Sequence, residues 1–583
     1  MLNAGRVLIG AAAIAAAASC SASAQQTPNQ HGGTAPVLRE RSPRMPPAAD
    51  APARTSAGRT KAAPHQAPPS TSMLPTRGQL AAATWIAAKM TDGQAVGQLL
   101  MPQVAGSDAD HVTPQEAASN RAALGVSTPA QAIRAFDLGG VILGNAGSSN
   151  VDNPAQLTTL TGRMQQVATA TGADQPLLVS TDQEQGVVTR IGPPATRFAG
   201  NMALGATRSA DLTRTAAADT GAELRAMGVN LDLAPDADVT AGEGNAVIGS
   251  RSFGSDPGAV SSLVAAAVTG YQDAGVAAVA KHFPGHGDTD VDSHVATPEL
   301  PQSRAALIAR DGAPFRAARQ AGIGVVMVGH LDTRAIDSDT PASVSPAVVT
   351  GLLREQMGFT GVVMTDSMQM EPITSRYSAG TAALRAIQAG VDIVLMPQNL
   401  PAAAKALIGA IHDKTISRAR INASVARIVA LKGLLGARRV PASTVIGSRP
   451  HLADARAVAR SAVTLLAGRC DARLIPAAVQ VTGDDPARAN LIASLRARGV
   501  RVVSSGAPVV AVLGYGDGEA PPAAVVVAAN TPYVLARTTA PVRIAGYDSS
   551  PAAMDAVAAA LTGTLSEHGR SPVAVTGLPR TAC

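Results

Sequence analysis

From about residue 79 the chain alternates between two textures. Short, almost wholly apolar runs are separated by longer stretches rich in Ala, Leu and Arg with helical spacing. The apolar runs fall at residues 140–144, 176–182, 229–235, 276–282, 323–330, 361–366 and 391–396. Runs of this length without polar alternation predict strands covered on both faces, and the helical stretches between them predict parallel crossovers. Seven or eight such units in succession predict an α/β fold, a (β/α)8 TIM-like barrel, over residues 79–440. Residues 441–453 read as a linker. Residues 454–583 read as a smaller α/β sandwich domain, with strands predicted at 478–482, 508–513, 523–529 and 542–547 and a helix at 485–498. Residues 421–428 show an amphipathic helical pattern for which packing is a sufficient role.

The N-terminus has a different character. Arg6 precedes an apolar run of small residues, 7–18, too short to span a bilayer comfortably, so residues 1–24 read as a signal peptide. The run ends in Ala17-Ala18-Ser19-Cys20, which resembles a bacterial lipobox, where the Cys becomes the lipidated first residue of the mature chain. The competing reading is an ordinary signal peptide cleaved at 22–24, with Cys20 lost. The lipobox reading places the protein across the cytoplasmic membrane, anchored to the cell envelope as a lipoprotein. Residues 25–78 are rich in Pro, Ala, Ser, Thr and Gln and lack a hydrophobic period, which predicts a disordered tether. No second stretch is apolar over enough residues for a transmembrane helix. Setting Cys20 aside leaves Cys470 and Cys583, an even pair in an oxidising compartment, and a disulfide between them is expected to tie the C-terminus to the start of the last domain.

Composition narrows the partners. The net charge is +6 and only 2% of the 583 residues are aromatic. Stacking platforms for single-stranded nucleic acid are therefore not expected. A mildly basic protein suits an anionic envelope as readily.

Several predicted strands end in ionisable residues: Asp182, Lys281-His282, His330 and Asp366. A single terminal Asp is usually a helix cap. Four such strand ends converge on one face of a barrel, where active sites are built. The central motif is Lys281-His282-Phe283-Pro284-Gly285-His286-Gly287-Asp288, followed by Asp292-Ser293-His294. Its chemistry admits a metal site, a sugar site with an acid/base on a flexible loop, or a solvated loop with capping carboxylates. Lys281 beside His282 disfavours a cation, and a Gly/Pro-rich loop presents no rigid ligand set, so neither metal nor cofactor is expected. Gly514-Tyr-Gly516-Asp-Gly518 faintly suggests a dinucleotide loop but lacks the full spacing. No G-x-S-x-G elbow occurs at a strand–helix junction.

The Lys-His-Phe-Pro-Gly-His-Gly run with its downstream Asp-Ser-His resembles the bacterial β-N-acetylhexosaminidases of glycoside hydrolase family 3. Similar segments follow in order: Ser180-Thr-Asp-Gln-Glu-Gln-Gly186, Leu231-Asp-Leu-Ala-Pro-Asp-Ala-Asp-Val239, Ile248-Gly-Ser-Arg-Ser-Phe-Gly254, Pro341-Ala-Ser-Val-Ser345 and Thr365-Asp-Ser-Met368. The resemblance implies Asp366 as nucleophile, and His294 as general acid/base oriented by Asp292. It implies Asp182, Arg190, Arg251, Lys281 and His282 as residues that hold the sugar, with His330 nearby. It also implies a substrate of GlcNAc-containing cell-wall saccharides and a role in wall turnover. A phosphorylase using the same site, passing the sugar to phosphate, and a non-catalytic envelope sugar-binding lipoprotein are the alternatives. The sequence departs from the family pattern where Gln185 replaces Gly and Val187 replaces Arg. A Gly position with φ > 0 taken by Gln185 is expected to reshape the rim of the site.

Overall fold

The computed structural model describes residues 72–145, 148–245, 247–516, 518–565 and 568–583. Cys20, the predicted signal peptide and all but the last residues of the predicted tether lie outside the described residues.

Eight parallel strands form the barrel: β1 (Leu100–Met101), β2 (Gly140–Ile142), β3 (Leu178–Thr181), β4 (Leu231–Asp232), β5 (Ala277–Phe283), β6 (Val325–Val328), β7 (Val362–Thr365) and β8 (Val394–Leu395). Strands β2 to β7 pair in sequence order. The ring closes through β1 and β8, where Leu100 and Met101 align with Val394 and Leu395. Gln103 bridges to Ile142 beside β2, and Met364 of β7 bridges to Ile393, completing the circuit. The seven apolar runs each carry one strand. The eighth, β1, is two residues long and gives no strand-length signal.

Helices cover the outside of the ring, and side chains fix where several of them start. Thr76, Thr91, Thr113 and Thr128 each form a capping box with the Gln or Glu three residues later. Proline at the first turn assists at Pro114, Pro129, Pro154 and Pro257.

The structure moves both domain boundaries. Met73 is buried and its N–H donates to the Gly322 carbonyl at 2.9 Å, and a helix runs from Arg77 to Lys89. The barrel therefore begins inside the segment read as tether; a few polar residues around a single buried Met carry no periodic signal. The predicted linker 441–453 contains a short 3-10 turn, Ser443–Val445, and the start of a helix, Arg449–Ala462. It is pinned to the barrel helix Ala210–Ala226 by Glu223, which accepts from Gly447 N–H at 3.1 Å and lies 2.8 Å from His451 Nδ1.

The C-terminal domain is a six-stranded sheet of β9 (Thr464–Ala467), β10 (Ala478–Gly483), β11 (Arg501–Val502), β12 (Val509–Leu513), β13 (Val525–Ala528) and β14 (Val542–Ala545). The spatial order is β11-β10-β12-β13-β14-β9, with only β9 antiparallel. Strand alternation divides its faces. Val510, Val512, Val525 and Val527 pack under the helices Ala487–Ala497 and Pro551–Leu561. Ala511, Leu513, Val526 and Ala528 belong to the core that continues into the barrel. The sheet is thus seated directly on the barrel. Cys470 and Cys583 are joined by a disulfide across a separation of 113 residues. Among the described residues, no helix is long and apolar enough to cross a membrane.

Candidate active site

A cavity of about 480 Å³ opens at the C-terminal ends of the barrel strands. Asp182 enters it just after β3, Lys281 and His282 from β5, and Asp366 just after β7, while Arg190, Arg251 and His294 arrive on loops. Regular alternation would send Lys281 and His282 to opposite faces of their strand. The pairing of β5 with β6 slips between Ala280 and Phe283, and both side chains reach the cavity. Asp292 lines the adjoining cavity, which shares His294 and Arg251 with the first.

The charges are tightly interlocked. Lys281 Nζ lies 2.8 Å from Asp182 and 2.6 Å from Glu184. Arg251 grips Glu184 through Nε at 2.8 Å and Nη2 at 2.9 Å, and its Nε lies 3.2 Å from Asp236. Burial opposes the charge on Glu184, but Arg251 and Lys281 outweigh it and hold that carboxyl far below its ordinary range. Burial, aided by the charge of Glu184, pushes Asp236 up to about 7 against the pull of Arg251. Glu184 is the carboxylate that Arg251 holds with two nitrogens. Glu184, Asp236 and Asp238 were not singled out individually from the sequence. They sit inside segments that carried the family resemblance, but their acidity alone gives no hint that Arg251 reaches them from residues 249–251.

Asp238 organises the next layer. Its Oδ2 lies 2.8 Å from His282 Nδ1, while its Oδ1 accepts the backbone N–H groups of His282 at 3.2 Å and His286 at 2.7 Å. Burial lowers the pKa of His282, but Asp238 and Asp236 more than compensate and raise it. Asp236, Asp238 and His282 are close enough to hold a metal ion. Arg251 already stands against two of them, 3.2 Å from Asp236 and 3.4 Å from His282 Nε2, and supplies the positive charge there.

The Gly-rich motif now has a steric explanation. Gly285 has φ +133°, and a Cβ there would lie 2.6 Å from the Asp311 side chain. A Cβ on Gly287 would come within 1.9 Å of the Val239 carbonyl oxygen. These contacts press the chain against the barrel before it leaves for the loop that carries Asp292 and His294. His286 Nε2 lies 3.0 Å from Ser293 Oγ and ties the loop down next to Asp292 and His294. Burial, helped by the charge of His282, pulls the His286 pKa down to about 4, so its ring is neutral. At the loop tip, His294 Nδ1 lies 2.7 Å from Asp292 Oδ1, and the His294 side chain is 65% exposed.

On the opposite side, burial would raise the Asp366 pKa, but its positive surroundings, His282 foremost, hold it below the usual carboxylate range. Its backbone N–H donates to the Val328 carbonyl at 2.9 Å and its Oδ1 accepts from Ser367 N–H at 2.7 Å. His330 lies behind this turn. Its Nε2 donates to the Ser367 carbonyl at 2.8 Å, which leaves Nδ1 to accept from Ser343 Oγ at 2.7 Å. Burial lowers its pKa, consistent with a neutral ring that braces the Asp366 turn.

Residues 93–431 match the glycosyl hydrolase family 3 N-terminal domain. The chain belongs to glycosyl hydrolase family 3. Among family 3 relatives it is 34% identical over 374 residues to "Beta-hexosaminidase A" of Pseudoalteromonas piscicida, an alignment that takes in 59% of this chain and 62% of that one. It is 36% identical over 344 residues to "Beta-hexosaminidase LpqI" of Mycobacterium tuberculosis, covering 55% and 83% respectively. A solved family 3 β-N-acetylglucosaminidase from Paenibacillus superimposes with a TM-score of 0.75 at 32% identity, over 84% of this chain and 99% of its own. As a family 3 glycosidase, the protein keeps both the barrel and the second domain of that structure.

The departure from the family 3 pattern at Gln185 has a different outcome from the expected one. Gln185 does have φ +69°. Its side chain, however, turns inward: Nε2 donates to Thr220 Oγ1 at 3.1 Å and Oε1 accepts from Phe198 N–H at 3.2 Å. Gln185 is buried behind the site and does not shape its rim. Val187 is the exposed replacement, and it faces the adjoining cavity.

Proposed function

We propose that this family 3 glycosidase is a retaining, exo-acting β-N-acetylglucosaminidase that trims cell-wall, muropeptide-type glycans. The observation that carries the reading is a half-buried Asp366, its carboxyl held below the usual carboxylate range, sharing one cavity with His294, whose Nδ1 is held by Asp292. Asp366 attacks the anomeric carbon while His294 Nε2 gives a proton to the leaving oxygen, producing a glycosyl–aspartyl ester. His294 then takes a proton from water, which attacks the same carbon and frees Asp366. Two inversions leave the configuration retained. Asp182, Lys281, Arg251 and His282 provide donors and acceptors for sugar hydroxyls, with Arg190 at the rim. Val247, Met327 and Met396 offer an apolar wall suited to an acetamido methyl. The activities in the names of the relatives, β-hexosaminidase and β-N-acetylglucosaminidase, support a terminal β-linked N-acetylglucosamine. The envelope location rests on the lipobox-like segment ending at Cys20, and metabolic labelling with a fatty-acid analogue in wild type and Cys20→Ala tests it.

The enzymatic test is release of 4-nitrophenolate from 4-nitrophenyl β-N-acetylglucosaminide by residues 25–583, with and without phosphate. Release with N-acetylglucosamine of β configuration as first product supports the hydrolase. Acceleration by phosphate with recovery of a sugar 1-phosphate would reassign the protein as a phosphorylase. No release from this or the matching glucoside would leave a sugar-binding protein.

A further inference from the structure

A second cavity, of about 350 Å³, opens at the other end of the barrel. It lies where the start of β3 meets the helices Pro154–Thr169, Ala210–Ala226 and Arg418–Gly436. It shares no lining residue with the cavity that holds Asp366 and His294. Small-molecule sites span about 300–1,000 Å³, so it is large enough for a compact ligand. Its wall is mainly apolar, built from Pro176, Leu177, Leu178, Ala226, Leu435 and Val440. Val440 is 57% exposed and marks where the cavity meets solvent.

The neutral polar side chains of this wall are committed to backbone. Gln165 donates to the Leu177 carbonyl at 2.8 Å and accepts from the Leu177 N–H at 2.9 Å. Asn230 donates to the same carbonyl at 3.0 Å and accepts from the Val179 N–H at 2.9 Å. Thr161 Oγ1 donates to the Met227 carbonyl at 2.8 Å. Two cations on the wall are placed differently. Lys432 is only 3% exposed, and its Nζ donates to the neutral Gln98 Oε1 at 2.6 Å. Arg225 Nη2 donates to the Leu435 carbonyl at 3.0 Å, one helical turn beyond Lys432, while its Nε is buried with no hydrogen-bond partner. Burial lowers the pKa of both groups, that of Lys432 to about 7, and no carboxylate opposes it. Among the described residues neither cation makes an ion pair. A buried positive charge without a counter-ion costs stability. At the active-site end Lys281 is offset by Asp182 and Glu184, whereas at this end the chain brings no acid to the wall. An anion from solution would complete the pairing.

We propose that this cavity binds a small amphipathic carboxylate, with its anionic head between Lys432 and Arg225 and its apolar body along Leu177, Leu178, Leu435 and Val440. The site lies outside the proposed sugar chemistry and does not depend on the glycosidase reading.

The test is calorimetric titration of residues 25–583 with octanoate, octanol and octylamine, which join one apolar chain to a negative, a neutral and a positive head. The titrations are run at pH 6, below the Lys432 pKa. Octanoate is expected to bind at one site per chain, about tenfold tighter than octanol, the scale of one charge-assisted hydrogen bond, with octylamine weaker than both. Lys432→Met and Arg225→Gln should each bring octanoate close to octanol. Gly162→Leu fills the cavity without touching either cation: Gly162 lines it from the helix Pro154–Thr169, and a Cβ there meets nothing within 4 Å. Leucine favours a helix over glycine, so this variant is expected to fold and to lose octanoate binding. No binding of octanoate by wild type, or equal affinities for the three compounds, would overturn the proposal without any variant having to fold. Unchanged octanoate affinity in a folded Gly162→Leu would put the ligand elsewhere on the protein and overturn this site.

Discussion

His294 is bound to Asp292 twice through a single oxygen: Asp292 Oδ1 accepts the His294 backbone N–H at 2.8 Å and lies 2.7 Å from Nδ1 of the same ring. The carboxylate therefore fixes both the turn and the direction of the ring. Asp292→Asn keeps the shape but can present an amide N–H to Nδ1, the wrong polarity for holding it. A fall in kcat of about 10- to 100-fold is expected for unactivated disaccharides. For the 4-nitrophenyl glycoside, whose leaving group departs without a proton, the first step should suffer much less. Pre-steady-state kinetics on both substrates check the split, and equal losses in glycosylation would remove the orienting role.

Asp366→Ala is expected to lower kcat by more than about 10⁴-fold, the scale seen when a nucleophile is deleted. Sodium azide should restore turnover of the activated glycoside and give the glycosyl azide of inverted configuration. A rescued product of retained configuration would mean that another group attacks the sugar first.

The bond between Cys470 and Cys583 closes a loop of 113 residues that contains nearly the whole C-terminal sheet. Loop-closure entropy for a ring this long is worth about 4–5 kcal/mol. Urea unfolding of the paired Cys470→Ser, Cys583→Ser variant should show the C-terminal domain melting first. Coincident transitions for both domains would show that the barrel contact, and not the cross-link, sets its stability.

Lys432 belongs to the helix Arg418–Gly436 and points into a cavity of about 350 Å³ at the opposite end of the barrel. Its Nζ donates to Gln98 Oε1 at 2.6 Å. Burial pulls its pKa down from 10.5 to about 7. Above pH 7 the folded chain has released this proton while the unfolded chain still holds it. Stability from this group therefore rises with pH between about 7 and 10.5, by about 1.4 kcal/mol per unit. Lys432→Met should be more stable than wild type at pH 6, and the gap should narrow by pH 9. Parallel urea midpoints across that range would sink the assignment.

The residues legible in the sequence are those placed by the strand pattern. Asp182, Lys281, His282 and Asp366 stand at or just beyond the ends of apolar runs, so the barrel itself brings them together. Arg190, Arg251, Asp292 and His294 lie on loops, where no periodicity places a side chain, and only the family motifs pointed to them. Glu184, Asp236 and Asp238 were obscured for another reason: the first two meet Arg251, and Asp238 meets His282, only through contacts made in three dimensions. Strand β9 escaped because Thr464–Ala467 follows the helix Arg449–Ala462 after one residue, and its four residues are too short an apolar run to stand apart from it.

The closure of the ring has a consequence for the order in which the enzyme comes into being. Leu100 finds its neighbour at Val394, so the barrel is sealed by its first and last strands. The proposed nucleophile, acid/base and charged sugar-holding residues lie between positions 182 and 366, and every one of them is synthesised before β8. A growing chain thus carries its complete chemistry in an open sheet, a topology of long sequence separation that folds slowly. The seam between β1 and β8, which contributes no proposed catalytic group, is the event that turns a ribbon of correct residues into an enzyme.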